Sequence, residues 1–246
     1  MDKEYKKSSI KMIGLGKEAS EILQQLNFLD SHESLLIYSE KEMETERILR
    51  FCKSANLVCV AVDLNNIFAV KHLLEMVSFL GNDDIKVLTV IKNGDSQLEL
   101  IENIKKHTST LDIDKQEDSG MLPILHQLYC LFLNNAEPIR VLDDEISVQR
   151  NIENFFEMHQ EIYIYSDTNI SAFLDRLKSD NIIRDKLTNS ASCWVGFNDS
   201  KSKFNEVIAI VDFLETDLLN EDATLCIQQE EVSTLNEVIL LVGLCT

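Results

Sequence analysis

The chain has 246 residues, 45% of them hydrophobic, which is enough apolar material for one large core or two linked domains and excludes bulk disorder. Its formal net charge of −19 repels phosphate backbones and anionic lipid, so neither nucleic acid nor direct membrane contact is expected. No apolar run approaches the ~20 residues that span a bilayer, and the charged start lacks a signal-peptide pattern, so we expect a cytoplasmic protein.

The first half of the chain alternates short apolar runs with amphipathic segments. A strand is predicted over 9–14, and Gly14 and Gly16 lead from it into a helix. Continuous apolar runs at 57–62 and 85–91 predict strands that are buried on both faces, as in the centre of a parallel sheet. The other predicted elements are a strand at 35–39 and helices at 41–54, 66–81 and 95–107. This alternation predicts a parallel α/β sheet.

The second half begins with a polar stretch at 111–120, which is typical of a strand end and a loop. The segment 121–135 is apolar around most of its surface, which predicts a buried helix between two halves of the protein. An amphipathic helix is predicted over 144–158. The elements predicted beyond it are strands at 161–166, 190–197, 223–229 and 236–244, with helices at 170–179 and from Phe204 to about Leu219. They predict a small mixed sheet with helices.

Three segments in order resemble FtsZ, the bacterial homologue of tubulin. IKMIGLGKEASEILQQL at 10–26 resembles the opening strand, turn and helix of that family, and ELIENIKKHTSTLDI at 99–113 resembles a later helix and strand. The region 193–244, from CWVGF to VILLVGL, resembles the C-terminal domain. The resemblance implies an α/β protein with a Rossmann-like, GTPase-type parallel-sheet domain at 1–120. A central connecting helix and loop at 121–143 and a smaller mixed-sheet domain at 144–246 would follow.

The family holds GTP with glycine-rich loops at strand ends, and this chain has only 7 glycines where average usage of roughly 7% gives about 17. Glycine lets the backbone approach a phosphate closely. In the first loop, Glu18 and Glu21 place carboxylates where phosphates would lie, and one like-charge pair at ~4 Å costs about 4 kcal/mol at an effective dielectric constant near 20. The residues of this loop that remain as vestigial nucleotide contacts are Gly14, Gly16, Lys17 and Ser20.

The second phosphate loop follows the buried strand at 57–62 and contains neither glycine nor threonine. Leu64, Ile67 and Phe68 carry side chains where the family presents bare backbone amides. The polar residues Asn65 and Asn66 are the only vestigial nucleotide contacts there. Alternatively, one of them, or Asp63, caps the helix that follows.

The third loop of the family is the catalytic loop. It completes the GTP site of the next subunit in a filament and has the pattern Asn-x-Asp-x-x-Asp. Here Arg140 replaces the asparagine and Leu142 the first aspartate, and Glu145 alone is acidic in register. A shift in register could bring Asp143 or Asp144 to that position. Alternatively, the three acidic residues only cap a helix and complement its dipole. No catalytic residue is therefore predicted, and Arg140, Asp143, Asp144 and Glu145 form a vestigial loop.

Other kinds of site have little support in the sequence. Six cysteines and five histidines show no metal-ligand spacing, so no metal site is predicted. The pair Gly14 and Gly16 lacks the third glycine of a dinucleotide fingerprint.

The sequence favours a non-catalytic FtsZ/tubulin-like structural or interaction protein without a cofactor. It would assemble with itself or modulate a true FtsZ filament in cell division. The alternatives are a residual GTP-binding switch with little hydrolysis, in which GTP is the ligand, and an unrelated Rossmann-type enzyme.

Overall fold

The structure is a computed structural model. It describes residues 10–26, 34–53, 55, 57–82, 85–116, 120–133, 155–156, 160–198, 204–220, 222–230 and 238–245. The strands of the first half are β1 Ile10–Leu15, β2 Ser34–Ile37, β3 Leu57–Asp63, β4 Val87–Lys92 and β5 Ser109–Asp112. The helices around them are α1 Lys17–Gln24, α2 Thr45–Cys52, α3 Ile67–Asn82 and α4 Leu98–Lys105, followed by α5 Met121–Leu133. The predicted order of elements is confirmed in this half.

The described part of the second half contains four strands and three helices. The strands are β6 Gln160–Asp167, β7 Ser192–Asn198, β8 Thr224–Glu230 and β9 Val238–Cys245. The helices are α6 Ile170–Ser179, α7 Asn181–Thr188 and α8 Phe204–Phe213, which continues into a π-helical turn at Leu214–Leu218. In the described ranges, no helix is long and apolar enough to cross a membrane.

The nine described strands form one sheet in the order β2-β1-β3-β4-β5-β6-β9-β7-β8. Strands β1 to β6 pair with one another in parallel, and β9 runs antiparallel between β6 and β7. Every residue of β3 is buried, as its continuous apolar run predicts. The α/β fold class, with a parallel first half and a mixed second half, is confirmed.

Helix α5 packs on a core that both halves of the sheet share. Leu125 and Leu128 of α5 belong to the same buried cluster as Cys59 of β3, Ile162 of β6 and Leu241 of β9. Helix α1 also packs on this face, whereas α2, α3 and α4 cover the opposite face of the first half. Helices α6, α7 and α8 cover that opposite face in the second half. The predicted central position of α5 is thus confirmed, and the exact domain boundaries stay a prediction.

Helix α7 is not among the elements predicted from the sequence. Asp180 caps this helix, because its Oδ1 accepts hydrogen bonds from the backbone N–H groups of Ile182 and Ile183 at 2.8 and 3.2 Å. Ile183 and Leu187 are buried at a spacing of four residues, which is a helical signal that the sequence carried. Of the helix predicted over 144–158, only residues 155 and 156 lie within the described part of the chain.

The seam between β5 and β6 is held by a side chain as well as by the backbone. The two strands pair at a single register position, Thr110 with Glu161. Beyond it, Gln116 Nε2 donates to the carbonyl oxygens of Asp112 and Ile162 at 2.8 and 3.4 Å. Its Oε1 accepts from the backbone N–H of Ile164 at 2.9 Å. The buried amide of Gln116 therefore supplies hydrogen bonds between β5 and β6 where the two strands lack backbone pairing.

We expect Gln116→Leu to lower the free energy of unfolding by about 1–3 kcal/mol, because it leaves buried backbone groups of both halves without a partner. The measurement is urea unfolding followed by far-UV circular dichroism. Gln25→Leu, at an exposed glutamine after α1, is the matched control and should change the free energy by less than about 0.5 kcal/mol. Equal effects of the two substitutions would show that the Gln116 bridge does not stabilise the sheet.

Candidate functional site

The candidate site lies at the sheet edge where the parallel strands β1 to β5 end. The strand order reverses at β1, which has β2 on one side and β3 on the other. In open parallel sheets, ligands bind outside the carboxyl ends of the strands at such a point of reversal. The turns that flank it are those from β1 to α1 and from β3 to α3, which contain the two predicted phosphate loops.

The β1–α1 turn requires both of its glycines. Gly16 has φ +88°, a left-handed conformation that glycine adopts readily, and its N–H donates to the carbonyl oxygen of Ile37 at 2.9 Å. A Cβ on Gly14 would lie 2.8 Å from the Cα of Ser20, so glycine is needed for the close contact of strand and helix. The Ser20 hydroxyl donates to the Gly14 carbonyl oxygen at 2.8 Å and is buried. Ser20 therefore closes the turn.

The β3–α3 turn is built from side-chain hydrogen bonds. Asn66 caps α3, because its Oδ1 accepts from the backbone N–H of Ala69 at 3.2 Å. The buried carboxylate of Asp63 accepts from the backbone N–H of Asn65 at 2.9 Å and from Nδ2 of Asn93 at 2.7 Å. Of the three capping candidates that the sequence offers, Asn66 is the residue that caps the helix.

The two turns meet through Asn66 and Glu18. Asn66 Nδ2 donates to Glu18 Oε2 at 2.7 Å. This hydrogen bond is the largest cause that holds the pKa of Glu18 below its ordinary value, and a bond from the backbone N–H of Glu18 itself adds to it. Glu18 is therefore a carboxylate at neutral pH. Since a Cβ on Gly16 would lie 2.9 Å from Asn66 Nδ2, there is little free space between the turns.

The remaining predicted nucleotide contacts are not directed at a common point. Lys17 pairs with Glu21 at 3.8 Å on the exposed side of α1. Asn65 is exposed, and its backbone N–H is bound to Asp63. The structure thus brings Gly16 and Asn66 together, and Gly14 with Ser20. The predicted loop residues Arg140, Asp143, Asp144 and Glu145 lie outside the described residues.

A second polar cluster, which is not among the sites predicted from the sequence, lies where β5 ends. Lys115 Nζ lies 2.8 Å from Glu161 Oε1 and 3.9 Å from Asp112 Oδ2, while Lys105 Nζ lies 3.4 Å from Glu161 Oε2. Burial raises the pKa of Glu161, but the hydrogen bond and charge of Lys115, together with the charge of Lys105, outweigh it and lower the pKa. The acidic residues after a strand end were the signal in the sequence. The cluster joins β5 to β6 and resembles a structural ion-pair network.

Asp112 is the member of this cluster that is least suited to a charge. Burial raises its pKa above the ordinary value, and the hydrogen bond from the backbone N–H of Asp114 and the charge of Lys115 only partly oppose the shift. The cluster does not extend to a metal site: within the described ranges, no group of three or more His, Cys, Asp and Glu side chains could hold a metal ion.

Solved structures of several tubulin-like proteins are similar to this chain. FtsZ from M. jannaschii aligns with a TM-score of 0.65 at 9% identity, over 98% of this chain and 89% of that one. TubZ from Bacillus thuringiensis serovar israelensis aligns with a TM-score of 0.61 at 10% identity, over 97% and 85%. TubZ from bacteriophage PhiKZ aligns with a TM-score of 0.57 at 10% identity, over 98% and 92%.

The likeness is one of structure rather than of sequence. No protein-family model matches the chain, and a search of curated proteins finds no match. At about a tenth identity, the structural match establishes the fold alone. The chain therefore has the FtsZ/tubulin-like fold, which confirms the resemblance found in its sequence.

We expect Gly16→Ala to lower the free energy of unfolding by about 1–2 kcal/mol, because a Cβ is strained at this positive φ and would meet Asn66. Gly81→Ala is the matched control. A Cβ on Gly81 makes an ordinary 3.5 Å contact with the His107 carbonyl oxygen, and alanine in α3 should stabilise the protein by up to about 1 kcal/mol. Urea unfolding measures both, and effects of the same sign would contradict the strained turn.

We expect Asp112→Asn to raise the free energy of unfolding at pH 7. A raised pKa means that the folded protein binds the proton more tightly than the unfolded chain, so the wild type loses stability as pH rises above about 4. The gain should therefore shrink towards pH 3, where the carboxyl group is protonated in both states. Unfolding in urea between pH 3 and pH 7 checks this, with the exposed Asp175→Asn as the control. A gain that does not vary with pH would refute the assigned cause.

Proposed function

We propose that this chain is a non-catalytic FtsZ/tubulin-like structural or interaction protein of the cytoplasm, which acts through protein contacts and does not hydrolyse GTP. The observation that carries the proposal is the hydrogen bond between Asn66 and Glu18, which joins the two turns where a phosphate would have to enter. The absence of glycine from residues 63–68 supports the same conclusion.

The physical argument concerns the N-termini of α1 and α3. Helix N-termini bind anions because their first N–H groups have no partner within the helix and the helix dipole is positive there. In this chain Glu18 accepts a hydrogen bond from its own backbone N–H at the start of α1, and Asn66 accepts one at the start of α3. A phosphate would have to displace Asn66 and approach the Glu18 carboxylate, whose charge repels it.

Assembly is the function that the fold supports best in the absence of nucleotide chemistry. The M. jannaschii structure is an empty FtsZ dimer, and TubZ from Bacillus thuringiensis was solved as protofilaments in the GDP form. We propose that this chain likewise associates with itself, or joins a true FtsZ filament and modulates it in cell division. Its net charge of −19 opposes association between copies, and salt should screen this repulsion.

We expect GTP with Mg²⁺ to leave the thermal midpoint of the chain unchanged. A bound nucleotide at 100 times its Kd would add about 2.7 kcal/mol, which corresponds to a shift of roughly 5–10 °C for a chain of this size. An active FtsZ in the same titration is the positive control. Sedimentation of the same samples should give equal pellets with and without GTP, and larger pellets at high salt than at low salt.

The outcomes separate the proposed function from the residual GTP-binding switch. A rise in the midpoint with GTP and no phosphate release would identify the residual GTP-binding switch and contradict the proposal. Phosphate release would contradict it as well. An unchanged midpoint with no pellet, alone or with added FtsZ, would refute the assembly function.

A further inference from the structure

Helix α8 has an apolar side that faces away from the core. Val207 and Ile210 of this helix are buried against the second half of the sheet. Phe204 and Ile208 are 70% and 39% exposed. They are four residues apart, so their side chains are neighbours on the outer face of the helix. Adjacent exposed apolar side chains indicate a contact surface more strongly than scattered ones.

The same face continues into acidic residues. Asp212 and Glu215 are exposed one and two turns beyond Ile208. Residues 204–246 contain no lysine, arginine or histidine, so the only charges in this part of the sequence are negative. The outer face of α8 and of the π-helical turn that continues it thus combines two apolar side chains, Phe204 and Ile208, with two carboxylates, Asp212 and Glu215.

Two described cations of α6 lie against aromatic rings. Lys178 Nζ lies 5.6 Å from the ring centroid of Phe213, and the Arg176 guanidinium lies 6.0 Å from the ring centroid of Tyr165. Among the described residues, no cation lies within ion-pair distance of Asp212 or Glu215. The negative charge of this face is therefore not neutralised within the described structure.

We propose that the α8 outer face, formed by Phe204, Ile208, Asp212 and Glu215, docks a basic amphipathic segment of another protein. An apolar side chain of that segment packs on Phe204 and Ile208, and its lysines or arginines pair with Asp212 and Glu215. A second copy of this chain is disfavoured as the occupant because it carries the same net charge of −19. The docking goes beyond the proposed function and does not depend on the Asn66–Glu18 contact.

The test uses the full chain and a synthetic fluorescent peptide of leucine and lysine with helical periodicity. Fluorescence anisotropy should show binding that weakens as salt rises. Phe204→Ala/Ile208→Ala should weaken binding about tenfold or more, and Asp212→Asn/Glu215→Gln should weaken it and flatten its salt dependence. The matched control is Ile182→Ala on α7, because Ile182 is also 70% exposed but lies on another helix. It should leave the Kd within about twofold.

Two further peptides show whether charge and periodicity matter. A peptide with glutamate in place of lysine and a scrambled peptide of the original composition should both bind more weakly. Absence of binding by the basic peptide, equal binding of the glutamate peptide, or an equal loss in Ile182→Ala would overturn the proposal. Sedimentation without peptide tests whether a second copy of the chain occupies the face instead. Loss of self-association in Phe204→Ala/Ile208→Ala, together with self-association that the peptide does not inhibit, would assign the face to a second copy. Unchanged thermal midpoints confirm that the variants are folded.

Discussion

The candidate edge depends on one side chain, that of Asn66. Its Oδ1 caps the start of α3 by accepting from the Ala69 N–H, and its Nδ2 donates to the Glu18 carboxylate. One amide thus satisfies polar groups from two turns that are 48 residues apart in sequence. The same amide makes glycine necessary at position 16, because a Cβ there would lie 2.9 Å from Asn66 Nδ2. The backbone of the β1–α1 turn, the cap of α3 and the charge of Glu18 therefore depend on one another.

Local pattern in the sequence predicted most of the fold. The run at 57–62 predicted a strand with both faces buried, and the apolar surface of 121–135 predicted a buried helix between the two halves. Helix α7 could have been found from the capping Asp180 and from Ile183 and Leu187. These features need only neighbours along the chain, and for that reason periodicity and capping rules reveal them.

The contacts that define the site could not be predicted in this way. The sequence alone indicates that Glu18 opposes a phosphate and that Asn66 can cap a helix, but their pairing requires the turns after β1 and β3 to be adjacent. The hydrogen bond from Ile164 to Gln116 could not be predicted for the same reason. In the sequence Gln116 is one polar residue in a polar stretch, and its partner is known only when β6 is known to lie beside β5. Such contacts follow from the tertiary arrangement.

The position of these contacts bears on how a protein with this fold could be regulated. A ligand that bridges two loops makes their arrangement depend on its concentration, because binding and conformation are linked. In this chain the bridge is formed by two side chains of the protein itself, Glu18 and Asn66, which are always present at the site. On the proposed function, the edge therefore has one arrangement at every nucleotide concentration. Assembly must then be controlled by other factors, such as the repulsion between acidic copies and the binding of partners to surfaces away from this edge.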